Sequence, residues 1–141
     1  MILKALKLTN FRNYGSLDMT WDPGINMIRG DNAQGKTNLL EAIAFLSTFS
    51  SFRKSPAAEL IKKERDFFLI RSCFTGNQTE HIMNVAYSEN KKYLVKLDGN
   101  TKKRIAPLIG SLNTVIFSPD DLMLMKGRPE ERRRFLDAEI I

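Results

Sequence analysis

The residues best suited to chemistry in this chain form a short loop that carries two glycines, a lysine and a threonine. Residues 30–37 read GDNAQGKT, which matches the phosphate-binding pattern G-x-x-x-x-G-K-[ST] at every fixed position. Glycine allows positive φ and leaves room for phosphate oxygens to approach backbone N–H groups. The pattern predicts ATP contacts from Gly30, Asp31, Asn32, Ala33, Gln34, Gly35, Lys36 and Thr37.

Two of these side chains have distinct predicted roles. The ammonium of Lys36 suits the β- and γ-phosphates, because it is a mobile charge that donates hydrogen bonds. The hydroxyl of Thr37 is the type of ligand that Mg²⁺ accepts in such loops. The expected cofactors are therefore ATP and Mg²⁺.

The segments on both sides of the loop have the patterns that such a loop requires. Residues 24–29 form a short apolar run that predicts a buried strand, and residues 38–46 predict a helix. A strand, a glycine-bearing loop and a helix together aim a helix N-terminus at an anion. The alternative to a phosphate-binding loop is an ordinary glycine turn between a strand and a helix. The predicted apolar face of the helix consists of Leu39, Ile43 and Leu46, widened by Leu40 and Ala44.

Other elements can be predicted around this unit. An apolar stretch from Leu3 precedes a shorter strand at residues 17–21, and an antiparallel meander is predicted near residues 67–75, 80–87 and 92–97. Hairpin turns are expected at residues 89–90 and 98–100. Residues 114–117 predict another buried strand, and short helices should follow Ser118 and Arg128.

Composition places the chain among ordinary globular proteins. It has 141 residues, of which 43% are hydrophobic and 27% are charged, enough for a real core. No apolar run approaches the roughly 20 residues of a membrane span, and the N-terminus lacks a signal-peptide layout. Cys73 is the single cysteine, and its strand-like surroundings favour a buried thiol over a nucleophile. We expect a cytoplasmic protein with no membrane partner.

The charge balance favours a polyanionic partner. The chain has 22 basic and 16 acidic residues, a net charge of +6, and its basic residues occur in clumps. A solvated face is the commoner explanation for any one clump, but together they favour nucleic acid. The first candidates for DNA contact are Lys102, Lys103 and Arg104.

Hydrolysis of ATP requires more than the loop. A P-loop ATPase also needs an acidic residue at the end of a second apolar strand, to hold Mg²⁺ and orient water. Asp120 and Asp121 follow residues 114–117, but two residues, one of them Pro119, separate them from that strand. We therefore expect this chain to bind nucleotide without turning it over.

Four segments make the chain recognisable. They are LKLTNFRNY at residues 6–14, PGIN at 23–26, GDNAQGKTNLLEAI at 30–43, and FSPDDL with KGRPEERRRFLD between residues 117 and 137. These motifs reach both ends of the chain and resemble those of the RecF family of bacterial recombination mediators. The meander matches only loosely.

This resemblance implies an ABC-type ATPase head similar to those of SMC and double-strand-break repair ATPases. The implied fold class is α/β (mixed α+β): the N-terminal lobe of a P-loop NTPase, with an antiparallel β-meander. Residues 1–117 would form this lobe, and residues 118–141 would begin a helical lobe. The family's signature motif and acidic Mg²⁺ strand come later in its longer chains, so the chain is interpreted as an N-terminal fragment.

The resemblance also implies partners and roles. RecF proteins bind single-stranded and duplex DNA, including gap junctions, and dimerise around ATP. They help RecO and RecR load recombinase at gaps during DNA replication, repair and the SOS response. The resemblance places Arg12 and Asn13 near the nucleotide phosphates and Arg53 near the base or ribose, although residues 51–53 read Ser-Phe-Arg where the family often has Ser-His-Arg. A surface ion pair is the alternative for Arg12 and Arg53.

Two other functions remain open at the level of the sequence. The chain could be a basic DNA-binding module whose glycine loop is only a structural turn. It could also be a small stand-alone P-loop kinase, but it shows no second acidic strand and no arginine lid. ATP titration separates the first alternative from an ATPase head, and phosphoryl acceptors test the second.

Overall fold

The chain folds as one antiparallel sheet with a helix packed on one face. This computed structural model describes residues 1–76, 78–90, 92–117, 129, 130 and 133. The strands stand in the order β2-β1-β3-β4-β5-β6, and every neighbouring pair is antiparallel. The elements are β1 Ile2–Phe11, β2 Tyr14–Thr20, α1 Lys36–Thr48, β3 Phe67–Gly76, β4 Thr79–Ser88, β5 Lys92–Leu97 and β6 Asn100–Lys102, with 3₁₀ turns at Ala57–Leu60 and Ala106–Leu108.

The core lies between α1 and the face of the sheet that it covers, which we call the inner face. Alternate residues of each strand point to this face, because side chains alternate across a strand. Phe68 packs edge-on against Phe11 and Phe45, with ring centroids 5.4 and 5.7 Å away. The strands contribute the buried side chains of Leu6, Leu8, Phe68, Ile70, Phe74, Met83, Val85 and Val95, and α1 contributes Leu39, Ala42, Phe45 and Leu46.

The predicted meander and helix are both present. The strands near residues 67–75, 80–87 and 92–97 form, and tight turns occupy residues 89–90 and 98–99. The helix begins at Lys36, two residues before its predicted start at Asn38. Its buried face matches the prediction at Leu39, Ala44 and Leu46, but Leu40 is 47% exposed and Ala42 and Phe45 are buried as well.

Two predicted buried strands were wrong. Residues 24–29 and 114–117 have no strand structure, and Ile25 is 98% exposed and Phe117 is 79% exposed. Neither segment pairs with any strand among the described residues, so its backbone groups have no ladder to join. Within the first segment, the Asn26 side chain accepts from the Asp22 N–H and donates to the carbonyls of Asp22 and Gly24, which fixes the bend at residues 23–24.

Part of the sequence prediction lies outside the described residues. The predicted helix after Ser118, with Asp120 and Asp121, falls within residues 118–128, which are not described. Of the predicted tail helix, residues 129, 130 and 133 are described and are helical. No helix in the described part of the chain is long and apolar enough to cross a membrane.

Candidate functional site

The phosphate-binding loop, residues 30–37, ends at an uncapped helix N-terminus. Gly35 is the N-cap of α1, no side chain bonds to the first turn, and that turn carries no acidic residue. The first intrahelical bond runs from Leu39 N–H to the Gly35 carbonyl at 2.9 Å. Backbone N–H groups before Leu39 therefore have no intrahelical acceptor, and the helix dipole adds partial positive charge there. This arrangement is suited to an anion.

The two glycines of the pattern differ in what the structure asks of them. Gly35 has φ of 102°, and a Cβ there would lie 2.5 Å from the Asn13 Nδ2 atom. Gly30 does not adopt the positive φ that a glycine allows, and a Cβ there would lie 2.5 Å from Oε1 at the end of the Gln34 side chain, which would have to move. The second left-handed residue of the loop is Ala33, with φ of 65°.

The Gln34 and Lys36 side chains both hold the loop. Gln34 Oε1 accepts from the Asp31 backbone N–H at 3.1 Å. Lys36 Nζ donates to the carbonyls of Gly30 at 2.7 Å and Asp31 at 2.6 Å. The ammonium therefore lies over the loop, where incoming phosphate oxygens would compete for its protons. The Thr37 side chain is exposed at the start of α1.

Asn13 and Arg53 are linked to the loop by a chain of side-chain hydrogen bonds. Asn13 Nδ2 donates to the Gln34 carbonyl at 3.0 Å. Asn38 Nδ2 donates to Asn13 Oδ1 at 2.9 Å, and Arg53 Nη1 donates to Asn38 Oδ1 at 3.0 Å. The structure thus brings both residues to the beginning of α1, beside the loop.

Tyr14 supports the same turn of the loop. Its hydroxyl donates to the Gly35 carbonyl at 3.1 Å. Burial raises the pKa of this hydroxyl, so it stays protonated and remains a donor at neutral pH.

Arg12 forms a partly buried ion pair with the fully buried Glu41. Its Nε and Nη2 atoms donate to the two carboxylate oxygens of Glu41 at 2.9 and 2.8 Å, and Nη1 donates to the Glu59 carbonyl at 3.1 Å. The Arg12 and Glu41 side chains are 16% and 0% exposed. Glu41 also accepts from the Ser51 hydroxyl, and Arg53 Nη1 is 3.8 Å from it. The alternative interpretation as an ion pair thus accounts for the contacts of Arg12, although the pair is partly buried.

Glu41, Asn38 and Lys62 also contact the residues of this site, although none of them was a predicted site residue. Lys62 Nζ donates to the Asn13 backbone carbonyl at 2.6 Å. The sequence does mark Glu41 as unusual, because it is the only charged residue among residues 37–52. Nothing in the local pattern indicated the contacts of Asn38 or Lys62.

The candidate DNA-contacting residues lie at one end of the sheet. Lys102 is the last residue of β6, the strand at the edge opposite β2, and Lys103 and Arg104 follow it in the next turn. All three side chains are exposed. Lys102 is close enough to Asp98 to help lower the pKa of that carboxyl, after the larger effects of a hydrogen bond from His81 and a backbone N–H.

Comparison with known proteins agrees with the predicted resemblance. Residues 2–119 match the family described as the RecF/RecN/SMC N terminal domain. A DNA replication and repair protein RecF from Lachnoclostridium phytofermentans is 42% identical over 140 residues, which are 99% of this chain and 39% of that protein. RecF from Symbiobacterium thermophilum is 44% identical, over 99% of this chain and 37% of its own length. The chain thus spans about two fifths of the length of these relatives.

Solved structures give the same answer for the fold. One described as the recombination mediator protein RecF-ATPrS in the RecFOR pathway has 40% identity and a TM-score of 0.90, over 98% of this chain and 38% of that one. A structure from a study of ATP-driven dimerisation and DNA-stimulated activation of SMC ATPases has 20% identity and a TM-score of 0.77, over 97% of this chain and 98% of that one, and shows the fold alone. The predicted lobe of an ATPase head is confirmed. The chain belongs to the RecF/RecN/SMC N terminal domain family.

Proposed function

We propose that residues 30–37 bind the phosphates of ATP. The single observation that carries this proposal is the uncapped N-terminus of α1 directly after a loop with the full phosphate-binding pattern. The first-turn N–H groups would donate to phosphate oxygens, and Lys36 would exchange its two carbonyl acceptors for the β- and γ-phosphates. RecF structures described as bound to ATP and ATPrS support this assignment.

Neighbouring residues would complete this site. The exposed Thr37 hydroxyl fits a Mg²⁺ ligand, because the ion takes oxygen ligands and usually keeps several waters. Asn13 and Arg53 lie beside the start of α1 through their hydrogen bonds. The Arg12 guanidinium is held on Glu41, the carboxylate that Arg53 also approaches. We propose that Arg12 and Asn13 act near the phosphates and that Arg53 acts near the base or ribose.

The wider role proposed for the intact protein is that of a RecF-type recombination mediator in the cytoplasm. It would bind single-stranded and duplex DNA and gap junctions, dimerise around ATP, and help RecO and RecR load recombinase in replication, gap repair and the SOS response. The relatives named as DNA replication and repair proteins support this role. Among the described residues, no cluster of three or more acidic, histidine or cysteine side chains could hold a metal. We also propose that this chain binds ATP without hydrolysing it alone, because its sequence has no apolar run that ends in an acidic residue able to hold Mg²⁺ and orient water.

Lys36→Ala should weaken ATP binding by about tenfold or more, because a hydrogen bond to a charged group contributes roughly 1.5–3 kcal/mol. Fluorescence titration with a labelled ATP analogue would measure this loss. Lys63→Ala is the matched control, since Lys63 is an exposed lysine in the turn before β3. Equal affinities for wild type and Lys36→Ala would contradict the assigned site and favour a glycine loop that is only structural.

The three residues Lys102, Lys103 and Arg104 should bind DNA weakly and without sequence preference. Changing all three to Ala should flatten the dependence of affinity on salt by roughly two units of slope for single strands, because each phosphate contact releases counterions. Titration of a labelled oligonucleotide at several salt concentrations would measure the slope. A triple change of Lys54, Lys63 and Arg65 to Ala removes equal charge elsewhere. If both triple variants lowered DNA affinity and the salt slope equally, only net charge would matter.

A further inference from the structure

The face of the sheet opposite α1, which we call the outer face, carries a row of cations. Lys7 of β1 stands opposite Arg71 of β3, Arg71 opposite Asn84 of β4, and Asn84 opposite Lys96 of β5. With a strand spacing of about 4.8 Å, Lys7 and Arg71 lie roughly 5 Å apart and Arg71 and Lys96 roughly 10 Å apart at the backbone. The row therefore crosses the strands at a right angle.

Aliphatic side chains border this row on both sides. Ile82 of β4 is 52% exposed and Leu94 of β5 is 49% exposed. Together with the row they line a shallow groove of about 630 Å³ on the outer face. An antiparallel sheet with one face in water usually has a polar outer face, whereas here half-exposed aliphatic side chains lie beside the cations. The remaining apolar lining consists of Ala5, Leu69, Cys73 and Ala86.

The acidic side chains of this face are already paired. Asp18 is 2.6 Å from Lys7, and Glu80 is 2.6 Å from Lys4. Among the residues that the structure describes, Arg71 and Lys96 have no carboxylate partner. Two exposed cations over an apolar floor therefore lack the negative charge that would complement them.

We propose that the outer face docks a protein segment that carries two carboxylates about 10 Å apart among aliphatic side chains. The carboxylates would pair with Arg71 and Lys96, and the aliphatic groups would cover Ile82 and Leu94. A nucleic acid fits less well, because its backbone gains little from an aliphatic floor and its bases stack on aromatic rings. This partner is separate from ATP at residues 30–37 and from DNA at residues 102–104.

Selection of displayed 12-residue random peptides against the 141-residue chain would test this proposal. Counter-selection against the double variant Arg71→Glu, Lys96→Glu removes peptides that bind elsewhere. The enriched peptides should hold at least two acidic and two aliphatic residues. Fluorescence anisotropy should show that the double variant binds the best peptide at least tenfold more weakly than wild type, because opposite charges become like charges. A peptide with its acidic residues changed to Lys should regain binding to that double variant.

Matched controls keep the outcome decisive. The double variant Lys63→Glu, Arg65→Glu makes the same charge change in the turn before β3, outside the groove, and should leave peptide affinity unchanged. Circular dichroism and ATP titration of each variant would exclude misfolding. The proposal would be overturned if no enriched peptide depended on Arg71 and Lys96 for binding. It would also be overturned if the double variant lost binding to a (dT)₂₀ oligonucleotide but not to the peptide, or if the wild-type chain formed a dimer that the double variant dissociated.

Discussion

Glu41→Ala should lower the free energy of unfolding by about 3–5 kcal/mol, because it leaves the partly buried Arg12 guanidinium without its counter-charge. The Glu41 carboxylate is fully buried and accepts two hydrogen bonds from Arg12 and one from Ser51. Urea unfolding followed by circular dichroism would measure the loss. ATP affinity should fall in parallel, since Arg53 and the start of α1 lie beside this cluster.

Two variants separate lost charge from lost packing. Glu89→Ala removes an exposed acidic residue from the turn after β4, and should change stability by less than about 0.5 kcal/mol. The double variant Arg12→Met, Glu41→Leu removes both charges and should recover most of the loss, because apolar groups of similar volume often replace a buried ion pair without cost. A Glu41→Ala protein within about 1 kcal/mol of wild type would contradict the role assigned to this pair.

Elements that depend on local pattern could be predicted from the sequence. The hairpins of the meander follow from alternating side chains and turn residues, as at Tyr93, Val95 and Leu97 before the turn at residues 98–99. The loop at residues 30–37 and the start of α1 follow from the spacing of Gly30, Gly35 and Lys36. Each of these features depends on a stretch of about ten residues, so residues close in sequence determine it.

The remaining features depend on contacts between distant residues. Residues 24–29 and 114–117 are apolar enough for buried strands, but a strand forms only where a partner strand supplies its hydrogen bonds. Within α1, the prediction buried Leu40 and missed Glu41, which turns inward to meet Arg12, 29 residues earlier. Such a pairing cannot be read from helical periodicity, although a lone acid in an apolar helix is a usable signal.

Gly35→Ala should weaken ATP binding by about a hundredfold, more than the loss of the Lys36 ammonium. An L-residue at the observed φ of 102° is strained, and its Cβ would lie 2.5 Å from Asn13 Nδ2. The Asn13 amide would have to leave the Gln34 carbonyl, which breaks the link from the loop through Asn38 to Arg53. The added methyl group would also occupy space that phosphate oxygens need.

Gly99→Ala separates strain from collision. Gly99 also has a positive φ, 79°, but no atom lies within 4 Å of a Cβ built there. This variant should lose roughly 1 kcal/mol of stability from the left-handed backbone and bind ATP as wild type does. Calorimetric titration with ATP, beside urea unfolding of both variants, distinguishes the two effects. If Gly35→Ala and Gly99→Ala bind ATP equally well, residues 30–37 are not the nucleotide site. If both variants stay folded and only Gly35→Ala loses ATP binding, the collision with Asn13 and the phosphates is the cause.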